Sequence, residues 1–320
     1  MSQIDDFERH RTRLFALAYR MLGSAAEAED VVQDAWLRYS AAQPSDLRSP
    51  LAYLTTIVTR LALDRLKSAR ATREQYVGPW LPEPVLTDAQ PEPERSVALA
   101  ESLTLAFMVL LDALSPEERA VFILREAFEY SYAEIAAILT SSESNCRQLF
   151  HRAKERLASK RPRSGRSREE KRKLAARFVD AMRAGDGAEL TRILADDVGF
   201  WGDGGGRVVA AKRPVLGRDA VINLLLGIRR TAPAAGVPLD RISLDIAEVN
   251  YEPAMLVRVD GRLDSVYVCS VAEDAIVGIR VVRNPEKLVY IGRQLAKGER
   301  PPSSELSSRT AAPPDQSRTP

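Results

Sequence analysis

The sequence predicts a multidomain protein with two all-α domains followed by an α+β domain. Apolar residues recur at helical spacing up to about residue 159, and after residue 241 short alternating apolar runs indicate strands. Helices followed by a run of strands are typical of an α+β unit that is separate from the helical part. A chain of 320 residues with 45% hydrophobic content can build two or three cores of its own.

Changes in composition set the predicted boundaries. Five prolines fall between residues 71 and 95, and proline at that density blocks helix interiors and strand ladders. The last twenty or so residues are rich in Pro, Ser and Arg, a composition typical of disorder. The predicted segments are a helical domain at 1–70, a linker at 71–95, a second helical domain at 96–160, a basic linker at 161–173, the α+β domain at 174–296 and a disordered tail at 297–320.

The first helical domain contains an acidic helix. Gly23 and a Pro-Ser-Asp cluster at 44–46 separate its apolar runs. Four carboxylates, at Glu27, Glu29, Asp30 and Asp34, gather within about two turns of the run between these breaks. A basic partner would relieve their repulsion, and an ordinary solvated acidic face explains the pattern equally well.

The second helical domain has the layout of a helix-turn-helix. Capping boxes at 115–118 and 131–134 begin two helices, and a third helix follows the polar turn 140–142. Thr140 and Ser141 occupy a turn that commonly holds Gly, so a residue at positive φ is expected to carry strain there. Polar positions on the last helix are Asn145, Arg147, Gln148, His151, Arg152 and Lys154.

These polar side chains suit DNA. Arg reads guanine, Asn or Gln reads adenine, and Lys neutralises phosphate. Between residues 143 and 173 there are twelve Lys/Arg and four Asp/Glu, an excess that favours a polyanionic partner. The alternatives are a helical hairpin with a solvated basic face and a solvated basic linker.

In the α+β domain, a helix carrying Leu174, Phe178 and Met182 is followed by a second helix near 219–229. Strands are predicted at 242–246, 256–259, 266–271 and 276–282. The glycine run at 203–207 is not a phosphate loop, because a GxGxxG pattern would need Gly at Val209 and no Gly-Lys-Ser/Thr follows. It allows a sharp bend, and both a structural turn and a contact site remain open.

The helical motifs resemble extracytoplasmic-function (ECF) sigma factors. Residues 28–38 and 51–65 resemble their region 2, and residues 131–136 with 147–154 resemble their region 4. The resemblance implies that the first domain binds the clamp helices of core RNA polymerase and melts the −10 element, while the helix-turn-helix reads the −35 element. The implied polymerase-binding residues are Glu29, Asp30, Gln33 and Asp34, and the implied −10 residues are Arg60 and Arg65. Many family members carry Asn, which helps to capture a flipped −10 base, where this chain has Arg60.

The C-terminal third resembles a SnoaL-like (NTF2-like) α+β cone. A subgroup of these sigma factors carries such a domain together with a Trp-Leu-Pro-Glu-Pro linker, an Asp-Gly-Gly-Gly-Arg turn and an Asn-Pro-Asp/Glu-Lys-Leu segment. Here these motifs stand at 80–84, 203–207 and 284–288. We expect this domain to regulate the sigma regions in cis, by docking on the linker and fixing the relative position of the two helical domains.

The linker motif predicts a docking contact. Exposure of Trp80 and Leu81 would forgo about 1.5–3 kcal/mol of apolar burial per large side chain. We therefore expect the linker to pack on the C-terminal domain near 203–207, with Arg207 bonded to Glu83 or to linker carbonyls. The predicted interdomain residues are Trp80, Leu81, Glu83, Asp203, Gly204, Gly205, Arg207, Asn284 and Lys287.

The alternative function is a DNA-binding regulator whose SnoaL-like domain senses a small ligand or acts as an isomerase or cyclase. Both histidines, His10 and His151, lie outside that domain, and no defensible acid–base pattern or His/Cys metal cluster is present. We therefore expect a non-enzyme with no catalytic residue, metal or cofactor. A small ligand in the C-terminal domain remains open.

The expected partners are core RNA polymerase and promoter DNA, and the chain is expected to be a monomer. Two cysteines far apart in sequence, Cys146 and Cys269, argue against a disulfide framework and fit a reducing compartment. No apolar run approaches the ~20 residues that a membrane helix needs. The expected location is the cytoplasm, with no membrane contact.

Overall fold

The computed structural model describes residues 3–42, 49–87, 103–158 and 167–298. In the first helical unit, apolar stripes on each helix face one another and bury residues such as Leu17, Val31 and Leu54. The helices of this unit are α1 (Gln3–Leu22), α2 (Ala25–Ala42) and α3 (Pro50–Glu74).

The second helical unit contains the predicted helix-turn-helix. Its helices are α4 (Leu105–Leu111), α5 (Pro116–Glu126), α6 (Tyr132–Leu139) and α7 (Glu143–Ala158). Both expected capping boxes are formed, from Ser115 with Glu118 and from Ser131 with Glu134. Thr140 ends α6 in the left-handed conformation, with φ 53°, as expected for this turn.

The two helical units share one continuous apolar core rather than packing separately. A buried arginine strengthens the junction. Arg119 of α5 donates through Nε and a guanidinium NH₂ to the carbonyl of Arg20 in α1, at 3.1 and 2.9 Å. It also pairs with Asp112 at 2.6 Å. Because Arg119 is only 2% exposed, these bonds compensate the cost of burying its charge.

The C-terminal domain is a mixed sheet with helices on both faces, α11 lying on the opposite face from the other three. Its helices are α8 (Arg168–Ala184), α9 (Gly187–Ile193), α10 (Arg218–Thr231) and α11 (Val289–Ala296). Its strands are β1 (Leu194–Asp203), β2 (Val215–Leu216), β3 (Ile242–Val249), β4 (Glu252–Val259), β5 (Arg262–Ala272) and β6 (Ala275–Val282). The strand order is β2-β1-β6-β5-β4-β3, and β1 runs parallel to β6 while the other pairs are antiparallel.

Both faces of the sheet are covered by other parts of the protein. One face packs with α8, α9 and α10 around Phe178, Leu225 and Ile279. The other face packs against residues from outside the domain, including Leu81 and Leu86 of the linker and Leu105 at the start of α4. The C-terminal domain therefore supplies part of the packing surface for the chain between the two helical units.

Some boundaries differ from those predicted. The first helix of the C-terminal domain begins at Arg168 rather than near Leu174, because Ser167 and Glu170 form a capping box at its start. Strand β1 was not predicted, since its three aspartates and two glycines interrupt the apolar alternation. Residues 88–95 of the predicted linker, 161–166 of the basic linker and 299–320 of the predicted tail lie outside the described residues.

Across the described parts of the chain, no helix has the length and apolarity required to cross a membrane.

Candidate functional site

The predicted DNA-reading side chains lie together on the exposed face of α7. Asn145, Arg147, Gln148 and Arg152 are exposed, whereas Cys146 on the opposite face is fully buried. Arg147 pairs with Glu143 at 3.0 Å and lies 4.7 Å from the centre of the Tyr132 ring. Of the two remaining predicted residues, His151 faces Glu155 at 3.4 Å and Lys154 faces Glu126 at 3.9 Å. These exposed pairs are weak enough for a nucleic acid to replace them.

Removal of one of these guanidinium groups tests whether the exposed face of α7 binds DNA. We expect Arg152→Ala to weaken binding to a −35 duplex by about 1–3 kcal/mol if the side chain reads a base. The measurement is fluorescence anisotropy at two salt concentrations. Arg192→Ala, which removes an exposed Arg in the C-terminal domain, is the matched control. Equal affinities for both variants and the wild type would contradict the assignment of α7.

Arg60, the predicted −10 residue, is engaged with the helix-turn-helix. Its Nε donates to the carbonyl of Ile138 at 3.0 Å, and its NH₂ group donates to the Thr140 hydroxyl at 2.9 Å. The last carbonyls of a helix lack intrahelical partners, so the guanidinium caps the C-terminal end of α6. Two further contacts join α3 to the second unit, from Thr55 to Tyr130 at 3.0 Å and from Lys67 to Glu117 at 2.9 Å.

Arg65 of α3, also predicted to contact the −10 element, packs its guanidinium against the acidic helix α2. It pairs with Asp34 at 3.0 Å and with Asp30 at 3.7 Å, and donates to the carbonyl of Glu27 at 2.9 Å. Its charge relieves the repulsion that the carboxylate spacing predicted. Glu29 is exposed and lies 4.0 Å from Arg293 of α11. Gln33 is exposed on the same helix.

A buried carboxylate joins the linker to the C-terminal domain. Asp203, at the end of β1, is fully buried. One oxygen accepts from the Tyr76 hydroxyl at 2.5 Å and from the Gly205 N–H at 3.1 Å. The other accepts from the Leu81 N–H at 2.8 Å and from Lys287 Nζ at 2.7 Å. Burial and the hydrogen bond to Asp203 raise the pKa of Tyr76 well above its usual value, so the phenol remains a donor.

Lys287 completes this arrangement, which we call the linker clamp: Tyr76, Trp80, Leu81, Asp203 and Lys287. Besides the Asp203 carboxylate, the ammonium donates to the Leu81 carbonyl at 2.5 Å. It also lies 4.2 Å from the Trp80 ring centre and 4.7 Å from the Tyr76 ring centre. Cation–π attraction is stronger where water is excluded, as it is around the buried Lys287 ammonium, so both rings help to hold this side chain.

Trp80 also contacts the first helical unit. A Cβ built on Gly23, in the turn between α1 and α2, would lie 2.6 Å from the indole ring. Only Gly leaves room for the ring, and its φ of 71° also suits Gly. The linker motif is thus sandwiched between the first unit and the C-terminal domain.

Glu83 caps the start of α2 and does not meet Arg207. Its carboxylate accepts from Ser24 Oγ at 2.7 Å and from the N–H groups of Ala25 and Ala26 at 2.9 and 3.1 Å. The start of α2 offers unpaired N–H groups and a positive dipole end, which favour a carboxylate there. Arg207 pairs instead with Glu286 at 2.9 Å, and both side chains are about two thirds exposed. The expected contact between Arg207 and Glu83 is therefore wrong.

The glycine turn at 203–207 bends the chain and also leaves room for side chains that pack closely against it. Gly205 has φ 58°, and a Cβ there would lie 2.3 Å from the Asn284 amide nitrogen and 2.9 Å from the Tyr76 hydroxyl. Asn284 donates to that hydroxyl at 3.0 Å. A Cβ on Gly204 would lie 2.4 Å from the Val208 carbonyl oxygen. The three motifs at 80–84, 203–207 and 284–288 therefore meet at one place.

Several residues of this junction were missed by sequence reasoning. Asn250 exchanges hydrogen bonds with Val85, and Gln294 binds both backbone groups of Leu86. Tyr76 precedes the linker motif, and Glu252 accepts from the Leu105 N–H at 2.9 Å. Isolated polar residues of this kind carry no periodic signal. Only the break between the predicted strands 242–246 and 256–259 could have indicated a turn near Asn250.

The two helical units, one with the acidic helix α2 and the other with an exposed helix-turn-helix, match a class of protein, the promoter-recognition factors. The Sigma-70 region 2 profile matches residues 7–72, and the Sigma-70, region 4 profile matches residues 104–157. ECF RNA polymerase sigma factor SigJ of Mycobacterium tuberculosis is 35% identical over 291 residues, covering 89% of this chain and 93% of its own length. Probable ECF RNA polymerase sigma factor SigI of that species is 32% identical, covering 93% of this chain and all of its own.

The fold agrees with these relatives. The crystal structure of Mycobacterium tuberculosis extracytoplasmic function sigma factor SigJ superposes with a TM-score of 0.71 at 33% identity, covering 90% of this chain and 99% of that chain. The chain belongs to the ECF sigma factors of RNA polymerase. This confirms the predicted fold class and the predicted function in promoter-specific transcription initiation. Family members bind core RNA polymerase and promoter DNA, and sigma factors are generally not enzymes.

Proposed function

We propose that this sigma factor is regulated in cis, with its C-terminal domain holding regions 2 and 4 in a closed arrangement until polymerase engages them. The observation that carries the proposal is the linker clamp, in which Asp203 and Lys287 hold the segment that joins the two regions. The described part of the linker is held by the clamp up to Leu81 and by Asn250 and Gln294 at Val85 and Leu86. Held in this way, the segment that follows α3 stays on the C-terminal domain, and its docking would restrain the movement of region 4 away from region 2.

The closed arrangement affects the two promoter elements differently. The predicted −35 residues on α7 are exposed, whereas Arg60 of α3 is bonded to Ile138 and Thr140. For α3 to contact the −10 element through Arg60, these bonds must break and the shared core must separate. We infer that the −10 step is the one that the closed arrangement restrains.

We further propose that the chain acts in the cytoplasm as a monomer and without chemistry of its own. Hydrogen bonds, ion pairs and apolar contacts join region 2, region 4 and the C-terminal domain. Polar groups of the linker clamp, such as those of Asp203 and Tyr76, form hydrogen bonds with one another. These groups support a role in holding the linker.

The test is run-off transcription with core polymerase on genomic fragments, comparing the wild type with Trp80→Ala. We expect specific transcripts from both proteins and several-fold more transcript from Trp80→Ala, because loss of the ring removes contacts with Lys287 and Gly23. Val77→Ala removes a half-exposed apolar side chain from the same linker and is the matched control. An absence of specific transcripts would contradict the initiation function, and equal yields from all three proteins would contradict regulation by the linker.

A further inference from the structure

Asn250 lies in the turn between β3 and β4, where the C-terminal domain meets region 2, the linker and the start of region 4. Asn250 and Tyr251 both adopt left-handed backbone conformations, with φ 54° and 58°. Asn tolerates this region better than most residues, which accounts for its place in the turn. The residue is 1% exposed, so each polar atom of its side chain needs a partner within the protein.

The Asn250 side chain has partners in three segments. Its Oδ1 accepts from the Val85 N–H of the linker at 3.0 Å, and its backbone N–H donates to the Val85 carbonyl at 2.9 Å. Its Nδ2 donates to the Tyr19 hydroxyl of region 2 at 2.7 Å and to the Leu103 carbonyl next to region 4 at 2.9 Å. An Asn amide has two N–H donors, and here each serves a different sigma region.

Tyr19 extends this chain of hydrogen bonds. Its hydroxyl accepts from Asn250 and donates to the Glu83 carbonyl at 2.5 Å. Burial raises the pKa of Tyr19 far above its usual value, so the hydroxyl stays protonated and keeps its donor role. A continuous path therefore runs from the Leu103 carbonyl through Asn250 and Tyr19 to the linker backbone.

We propose that Asn250 is a positioning residue that couples the docking of region 2 to the docking of region 4 on the C-terminal domain. If either region leaves, one amide N–H loses its partner inside a buried site, which weakens the hold on the other region. This coupling rests on the proposed closed arrangement. It adds that the two sigma regions leave the C-terminal domain in one step.

A competing route must be separated from this one. Regions 2 and 4 also contact each other directly, through the bonds of Arg119 to the Arg20 carbonyl and through the shared core. Direct packing could couple the two regions without Asn250. The test therefore perturbs region 2, reads region 4, and repeats the measurement with Asn250 removed.

The experiment is hydrogen exchange of the full chain, with Tyr19→Phe made in the wild type and in Asn250→Gly. In the wild type, Tyr19→Phe should lower the protection of the α4 amides about three- to tenfold, the effect of one buried hydrogen bond. In Asn250→Gly the same change should have no further effect on α4. Glycine preserves the left-handed turn.

Tyr290→Phe is the control. Its ring stacks on Phe15 at the same boundary of region 2, at 5.8 Å between centres, and it should leave α4 protection unchanged. An equal loss from Tyr19→Phe in both backgrounds would overturn the proposal in favour of direct packing. No loss in the wild type would also overturn it. The exchange is measured without polymerase, so this result and the transcript yield of Trp80→Ala can fail independently.

Discussion

Replacement of Asp203 by Ala is expected to undock the linker at a cost of about 3–5 kcal/mol, the range for removing one partner of a buried ion pair. The Asp203 side chain is fully buried and that of Lys287 is 10% exposed. Without the carboxylate, Lys287 would retain a charge among the rings of Trp80 and Tyr76, and the Leu81 N–H would lose its acceptor. The measurements are urea unfolding of the full chain and the rate of proteolysis within the linker.

The exposed ion pair between Arg207 and Glu286 provides a matched control. It links the same two motifs, but both side chains are about two thirds exposed, so Arg207→Ala should cost less than about 1 kcal/mol. The double variant Asp203→Ala with Lys287→Met should recover part of the loss, because no buried charge is left unpaired. Similar effects for Asp203→Ala and Arg207→Ala would show that the clamp does not hold the linker.

Substitution of Gly205 by Ala should destabilise the same junction by about 2–4 kcal/mol, through a left-handed backbone and an overpacked contact. Gly205 has φ 58°, and the new Cβ would lie 2.3 Å from the amide nitrogen of Asn284. Asn284 and Tyr76 would both have to move, which breaks their hydrogen bond. We would follow thermal unfolding together with Trp80 emission, in a background where Trp36 and Trp201 are Phe.

Gly261 separates the two costs. It lies in the turn between β4 and β5 with φ 75°, and a Cβ there would meet nothing within 4 Å. Gly261→Ala should therefore show only the left-handed cost of about 1–2 kcal/mol and leave Trp80 emission unchanged. If the two variants lost equal stability and both kept the emission of the parent, close packing at the glycine turn would not contribute to docking.

Local signals in the sequence accounted for much of the fold. The capping boxes at Ser115 and Ser131 placed the starts of two helices, because side chains near a helix start determine how its free N–H groups are satisfied. Alternating apolar residues located β3 to β6. Strand β1 was missed because its pairing with β6 is parallel and distant in sequence, and neither leaves a local pattern.

The sequence indicated most members of the linker clamp, with the exception of Tyr76, but not their pairings. The three motifs drew attention to Trp80, Asp203 and Lys287, which the structure brings together. The predicted partner of Glu83, Arg207, was wrong. A carboxylate is attracted both by an arginine and by the start of a helix, and only the three-dimensional position of Glu83 decides between them. Arg60 illustrates the same limit, since nothing near it in sequence indicates the end of α6 as its partner.

The sequence by itself determined the helix-turn-helix, and the resemblance of its motifs to the ECF sigma factors indicated the class of protein and the segments that meet at the linker. The helix-turn-helix was predictable because it depends on periodicity and capping, in which the residues that interact are neighbours along the chain. Tertiary structure alone decided that regions 2 and 4 share a core, that Glu83 caps α2 and that Asn250 contacts three segments. Such contacts join residues up to 231 positions apart, and their partners are selected by burial and geometry that arise only when the whole chain packs.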